Sequence, residues 1–105
     1  MSTLILAQLS IHDPHRYGRY QRAFSETLLP FAGRLVAADP EPEVLEGRWE
    51  FDKVVLIEFP TRDHADRWAR SDAYVAISTD RRAATTATVL AVRSLTPEPL
   101  RLTAD

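Results

Sequence analysis

The run Lys53-Val54-Val55-Leu56-Ile57-Glu58-Phe59 constrains this chain more than any other segment. It has the β-branched richness of a central strand, and successive side chains of a strand point to opposite faces. Val55, Ile57 and Phe59 therefore share one face, and Val54 and Leu56 the other, where Glu58 is the single polar residue. The segment from Ala87 to Leu95 repeats the pattern, with Leu90 and Val92 opposing Val89 and Ala91. A sheet covered by helices on one side and by water on the other alternates apolar with polar residues. These strands do not alternate in that way, so both faces of the sheet are expected to be buried.

The remaining elements follow from spacing and punctuation. Thr3 to Ile11 reads as a strand that ends at Asp13-Pro14, a good cap followed by a residue suited to the first helical position. Tyr17, Tyr20, Phe24, Leu28 and Phe31 then recur at spacings of three and four, one apolar face of a helix ending near Leu29-Pro30. Gly33 opens a short strand, Arg34 to Asp39, closed by Pro40 and Pro42, and Glu43 to Gly47 reads as a further short edge strand. After Pro60-Thr61 a second helix carries Ala65, Trp68 and Ala69, breaks near Ser71-Asp72 and resumes with Tyr74, Ile77, Arg81 and Ala84.

At 105 residues the chain has room for one domain, expected at residues 1–94, with a proline-containing tail at 95–105. The order βαββαβ predicts an α+β, ferredoxin-like split βαβ: an antiparallel sheet with its helices on one face. Two helical segments cover one face only. The other is expected to meet the same face of a second copy, giving a homodimer in which each buried Val, Leu or Ile contributes roughly 1.5–3 kcal/mol.

Composition removes several function classes. The net charge of −2 and pI near 5.9 lack the basic excess a phosphate backbone demands, so no nucleic acid partner is expected. Without cysteine there is no disulfide, thiolate metal site or Cys nucleophile. The beginning MSTLILAQLS does not read as a signal peptide, and no apolar run approaches a membrane span, so a soluble cytoplasmic protein is expected. No G-x-S-x-G, G-x-G-x-x-G or H-E-x-x-H pattern occurs, which removes serine hydrolysis, a nucleotide fingerprint and a zinc site; no metal and no cofactor are expected.

The anomalous residue is Glu58, a carboxylate among aliphatic neighbours. Burial raises a carboxyl pKa toward the range useful for proton transfer, whereas an arginine partner would make Glu58 structural. His12 stands at a strand end as a possible catalytic partner, with a solvated loop histidine as the plainer reading. Tyr17 and Tyr20 share the inner stripe of the first helix, and Trp68 and Tyr74 face them from the second helical segment. They are read as substrate-binding walls between helices and sheet, or simply as core. Ser71 with Arg34 and Arg81 as anion anchors completes the candidate substrate-binding set.

These residues carry a family resemblance. Asp13-Pro14 followed by Tyr17 and Tyr20, Gly33-Arg34, Glu46-Gly47-x-Trp49, Lys53-Val54-Val55 leading to Glu58-Phe59-Pro60, and Trp68-x-x-Ser71-x-x-Tyr74 with Arg81 resemble the DUF1330 family over residues 3 to 94. The resemblance implies a ferredoxin-like fold of the dimeric α/β-barrel type. Barrels of that type include cofactor-independent monooxygenases, isomerases, lyases and haem-binding enzymes, and transfer of any such activity is analogy. Ala37 to Pro42 departs from the glycine-containing turn usual in the family. The expectation is a cofactor-independent enzyme, isomerase, lyase or oxygenase-like, using acid-base chemistry on a small organic substrate. Its alternatives are a non-catalytic homodimeric ligand-binding or interaction module and a haem-dependent protein.

Overall fold

Asp13 ends the first strand and starts the first helix of the computed structural model, which describes residues 1–95. Its carboxylate accepts the Arg16 N–H at 3.2 Å, and Pro14 occupies the first helical position, where no N–H is needed. Strand β1 (Thr3–Ile11) thereby hands over to α1 (Pro14–Leu28). A single 3-10 turn, Leu29–Phe31, and left-handed Ala32 (φ 55°) reverse the chain into β2 (Arg34–Asp39). Gly33 at this reversal lies against the core: a Cβ there would stand 2.6 Å from Phe59 Cε1 and 2.9 Å from Leu28 Cδ2.

After β3 (Lys53–Phe59) the Thr61 hydroxyl accepts the His64 N–H and caps α2 (Arg62–Arg70). Ser71 is extended (φ −65°, ψ 148°) and breaks the helix where the sequence placed the break. Its hydroxyl donates to the Trp68 carbonyl at 2.7 Å and accepts the Tyr74 N–H, so one side chain closes α2 and opens α3 (Asp72–Ala84). Strand β4 (Thr85–Arg93) begins two residues before the expected Ala87, because the Thr85 hydroxyl already closes the helix end by donating to the Arg81 carbonyl at 2.8 Å.

The four strands form an antiparallel sheet in the order β2-β3-β1-β4, with a bulge between Leu35 and Ala37. This is the ferredoxin-like α+β arrangement. The expected edge strand at Glu43 to Gly47 is absent: the span 40–52 is irregular, Gly47 has φ +87°, and Leu45 is 87% exposed. Pro40 and Pro42 donate no N–H to a ladder, so nothing extends the sheet there. The span is tied down at its far end, where Asp52 accepts the Ile11 N–H and Trp49 Nε1 donates to Gln8 Oε1 at 3.0 Å. The tail expected at 95–105 lies outside the described residues except for Leu95.

The core forms on the helix side. Leu9, Ile57 and Phe59 of the sheet pack with Tyr17, Tyr20, Phe24 and Leu28 of α1 and with Trp68 and Tyr74. Arg16 and Arg19 of α1 each hold Asp80 of α3 at 2.9 Å, keeping those helices side by side. On the other face, Leu6 pairs with both Leu56 and Leu90, and Leu4 with Val92. Leu90 and Val92 are 46% and 40% exposed, so this apolar face stands open in the single chain.

Candidate functional site

Alternation along β1 and β3 sends Ile5, Ala7, Leu9, Lys53, Val55 and Ile57 toward the helices. They floor a cavity of about 370 Å³ between sheet and helices, within the range of small-molecule sites. Tyr17, Tyr20 and Phe24 of α1 form one wall, and Trp68 with Tyr74 forms the facing one. Trp68 and Tyr74 centroids lie 4.0 Å apart within one wall, and the two walls meet where the Phe24 and Trp68 centroids lie 6.0 Å apart and the Tyr20 and Tyr74 hydroxyls 3.1 Å apart. The Trp68 indole N–H is committed to the Thr27 hydroxyl, which itself donates to the Phe24 carbonyl. Trp68 is thus a fixed wall.

Among the described residues the charged members of the lining are Lys53, Arg81 and Arg82, with no carboxylate or histidine beside them. Lys53 is 9% exposed, and its ammonium lies over the Tyr17 ring, 5.1 Å from the centroid. Among the described residues every fully enclosed side-chain N or O has a hydrogen-bond partner. Lys53 Nζ has no hydrogen bond or ion pair among the described residues and is not fully enclosed, and Lys53 lines the cavity. Burial lowers its pKa from the usual lysine value. Burial raises that of Tyr17, an effect Arg81 partly opposes and Tyr74 reinforces. Tyr20 is pushed well above the ordinary tyrosine value by burial first and then by its Tyr74 partner. Both tyrosines therefore keep their protons at neutral pH and well above it.

The structure brings Tyr17, Tyr20, Trp68, Tyr74 and Arg81 together in the cavity lining. Others of the sequence-derived set stand elsewhere. Glu58 belongs to the opposite strand face from Lys53 and Ile57, away from the cavity. Its Oε1 accepts from Arg34 Nη2 at 2.7 Å and its Oε2 from the Ser2 hydroxyl at 3.3 Å. The proposed pocket carboxylate and one proposed anion anchor are thus an ion pair across the β2–β3 edge. His12 is exposed at the β1–α1 junction and outside the lining. Ser71 is a helix cap. His64 shares a 2.7 Å hydrogen bond with the Thr61 hydroxyl, and no histidine lines the cavity. Among the described residues no group of three or more His, Cys, Asp or Glu gathers where a metal ion could sit, and no helix is long and apolar enough to cross a membrane.

Lys53 and Arg82 are the charged lining residues that sequence reasoning missed. One signal for Lys53 was present: among thirteen Lys and Arg it is the sole lysine, and it shares strand parity with Val55, Ile57 and Phe59. Arg82 had none, since it follows Arg81 at the polar end of a helix.

A family model described as a domain of unknown function (DUF1330) matches residues 2–95. No curated protein matches the chain. Among solved structures, a protein of unknown function from Rhodopseudomonas palustris aligns at 17% identity over 91% of this chain and 84% of its own, with a TM-score of 0.78. A dimeric ferredoxin-like protein of unknown function from Jannaschia sp. aligns at 14% identity over 90% of this chain and 100% of its own, with a TM-score of 0.69. A mutant form of SnoaB, a cofactor-independent oxygenase from Streptomyces nogalater, aligns at 17% identity over 93% of this chain and 97% of its own, with a TM-score of 0.60. At these identities the likeness shows the fold.

Proposed function

The chain belongs to the DUF1330 family, and from that premise we propose that it is an enzyme working acid-base chemistry on a small organic molecule in the helix–sheet cavity. Lys53, in place of Glu58, is the residue that moves the proton. One observation carries this reading: a desolvated amine with no carboxylate partner among the described residues lines a cavity walled by aromatic rings. Burial shifts such an amine toward the free base, the form that accepts a proton from carbon or oxygen. Tyr17, kept protonated by burial, supplies the complementary acid, and Arg81 balances negative charge as it develops.

The likeness to a cofactor-independent oxygenase accords with chemistry performed by side chains alone, as an analogy of fold. A homodimer through the open sheet face belongs to the same reading. Leu4, Leu6, Leu56, Leu90 and Val92 form an apolar surface that helices of the same chain do not reach, and two structural neighbours are described as dimeric.

The test is solvent-proton exchange. Small planar carbon acids that shift the NMR signals of Tyr17, Trp68 or Tyr74 are incubated with the protein in deuterated water, and deuterium entry is followed. Wild type is expected to accelerate exchange, and Lys53→Met to lower the rate about 10²–10⁴-fold. Pocket binders that exchange no faster than in buffer would leave a ligand-binding module as the correct description.

A further inference from the structure

We propose that Lys53 is also a nucleophile that condenses with the carbonyl carbon of a small conjugated aldehyde or ketone to form an imine in the helix–sheet cavity. The inference rests on the reading of that cavity as a small-molecule site and goes beyond it, since it fixes a covalent step and a substrate class. Three features place the step there. Lys53 Nζ faces the open space with no ion-pair or hydrogen-bond partner among the described residues, so no bond must break before it attacks. Removal from water favours the neutral amine, and burial alone lowers the Lys53 pKa. The rings of Tyr17 and Trp68 and the aliphatic floor of Val55 and Ile57 offer a flat, dry bed for a conjugated carbonyl compound.

The chemistry balances without a further reactant. The Nζ lone pair attacks the carbonyl carbon, the C=O π pair moves to oxygen, and a proton passes from nitrogen to that oxygen, giving a carbinolamine. The oxygen takes a second proton and leaves as water, and the nitrogen lone pair closes the C=N bond. Tyr17, opening on the same cavity and held protonated by burial, is the group placed to give that second proton and recover it from the iminium nitrogen. Arginine cannot take the nucleophile's role because its guanidinium does not lose its proton. Apart from the histidines, every other basic side chain of this protein is arginine, and the sole lysine is the one inside the cavity. Each pKa unit by which burial lowers the amine raises its neutral fraction about tenfold at pH 7.

The experiment is reductive trapping at pH 7 with para-formylbenzoate and cyanoborohydride, using acetyl-lysine amide in the same tube as an ordinary amine. Hydride reduction of the iminium carbon leaves a stable secondary amine, which peptide mass mapping assigns to Lys53. Lys53 is expected to be labelled at least tenfold faster than the reference, and the guanidinium-unfolded chain to lose that advantage. Labelling no faster than the reference overturns the proposal. Para-methylbenzoate, which lacks the aldehyde, separates the two levels. If it shifts the ring signals of the cavity while Lys53 stays unlabelled by the aldehyde, the small-molecule reading stands and the imine falls. If neither compound enters, both fall.

Discussion

The ammonium of Lys53 lies over the ring of Tyr17, 5.1 Å from its centroid, inside a cavity whose lining among the described residues contains no carboxylate. A residue placed to stabilise the fold would have a carboxylate to meet or water to reach. Lys53 has a ring face and open space instead, a costly arrangement of the kind found where activity needs a strained or desolvated group.

Replacing Lys53 with Met should therefore stabilise the protein. Loss of a desolvated cation from an apolar pocket is expected to raise Tm at pH 7 by several degrees, given the roughly 4–8 °C per kcal/mol of a domain near this size. The pH dependence gives the sign. Burial lowers the folded Lys53 pKa below the unfolded value of 10.5, so between the two the unfolded chain binds the extra proton and wild-type stability rises with pH. Below the folded value both states are charged and the full penalty remains. Urea midpoints of Lys53→Met should lack this rise. Above pH 10 both proteins should lose stability, because Tyr17 and Tyr20 keep their protons in the fold after the unfolded chain has released them.

Arg34 and Glu58 should behave as a structural pair. Arg34→Ala leaves the Glu58 carboxylate, 9% exposed as a side chain, with only the Ser2 hydroxyl. The expected loss is about 1–3 kcal/mol by denaturant titration, toward the low end because the Arg34 side chain is itself 63% exposed. Ligand-induced shifts of the Tyr17 and Trp68 signals should be unchanged. If Arg34→Ala or Glu58→Gln abolished them at unaltered stability, Glu58 would return to the site.

Leu90→Asp tests the open sheet face. Leu90 is already 46% exposed in the single chain, so a carboxylate there should not unfold the protomer. In a face-to-face dimer it would bury a charge against the partner's leucines. Wild type is expected to sediment as a dimer at micromolar concentration and Leu90→Asp as a folded monomer. A monomeric wild type would dismiss the sheet-face interface.

Gly33→Ala should be among the more damaging small substitutions. The added methyl would meet Phe59 at 2.6 Å and Leu28 at 2.9 Å, both core side chains. A loss of roughly 1–3 kcal/mol is expected from such overpacking, read as a lowered denaturant midpoint with unchanged slope.

Much of this protein was legible before any coordinates. Local chemistry set the strand–helix order: Asp13-Pro14 and Ser71 cap helices by their own short side chains, and the β-branched run of β3 suits a central strand. The apolar character of both strand parities, together with two helical segments, foretold a sheet with one face left over. Local chemistry also misled once. Val44 and Leu45 suggested a strand, but with prolines at 40 and 42 and no ladder to join, that span stayed irregular.

Where proton chemistry can sit was a tertiary decision. Strand alternation separates Lys53 from Glu58 in sequence, yet because both parities of β3 are apolar, alternation by itself cannot say which meets the helices. Packing chose: Phe59 is fully buried beside Trp68, and every odd-numbered residue of β3 follows it inward. That choice sent the lysine into a dry cavity and left the carboxylate to an arginine on the far face, reversing the roles that burial and charge alone suggested for them.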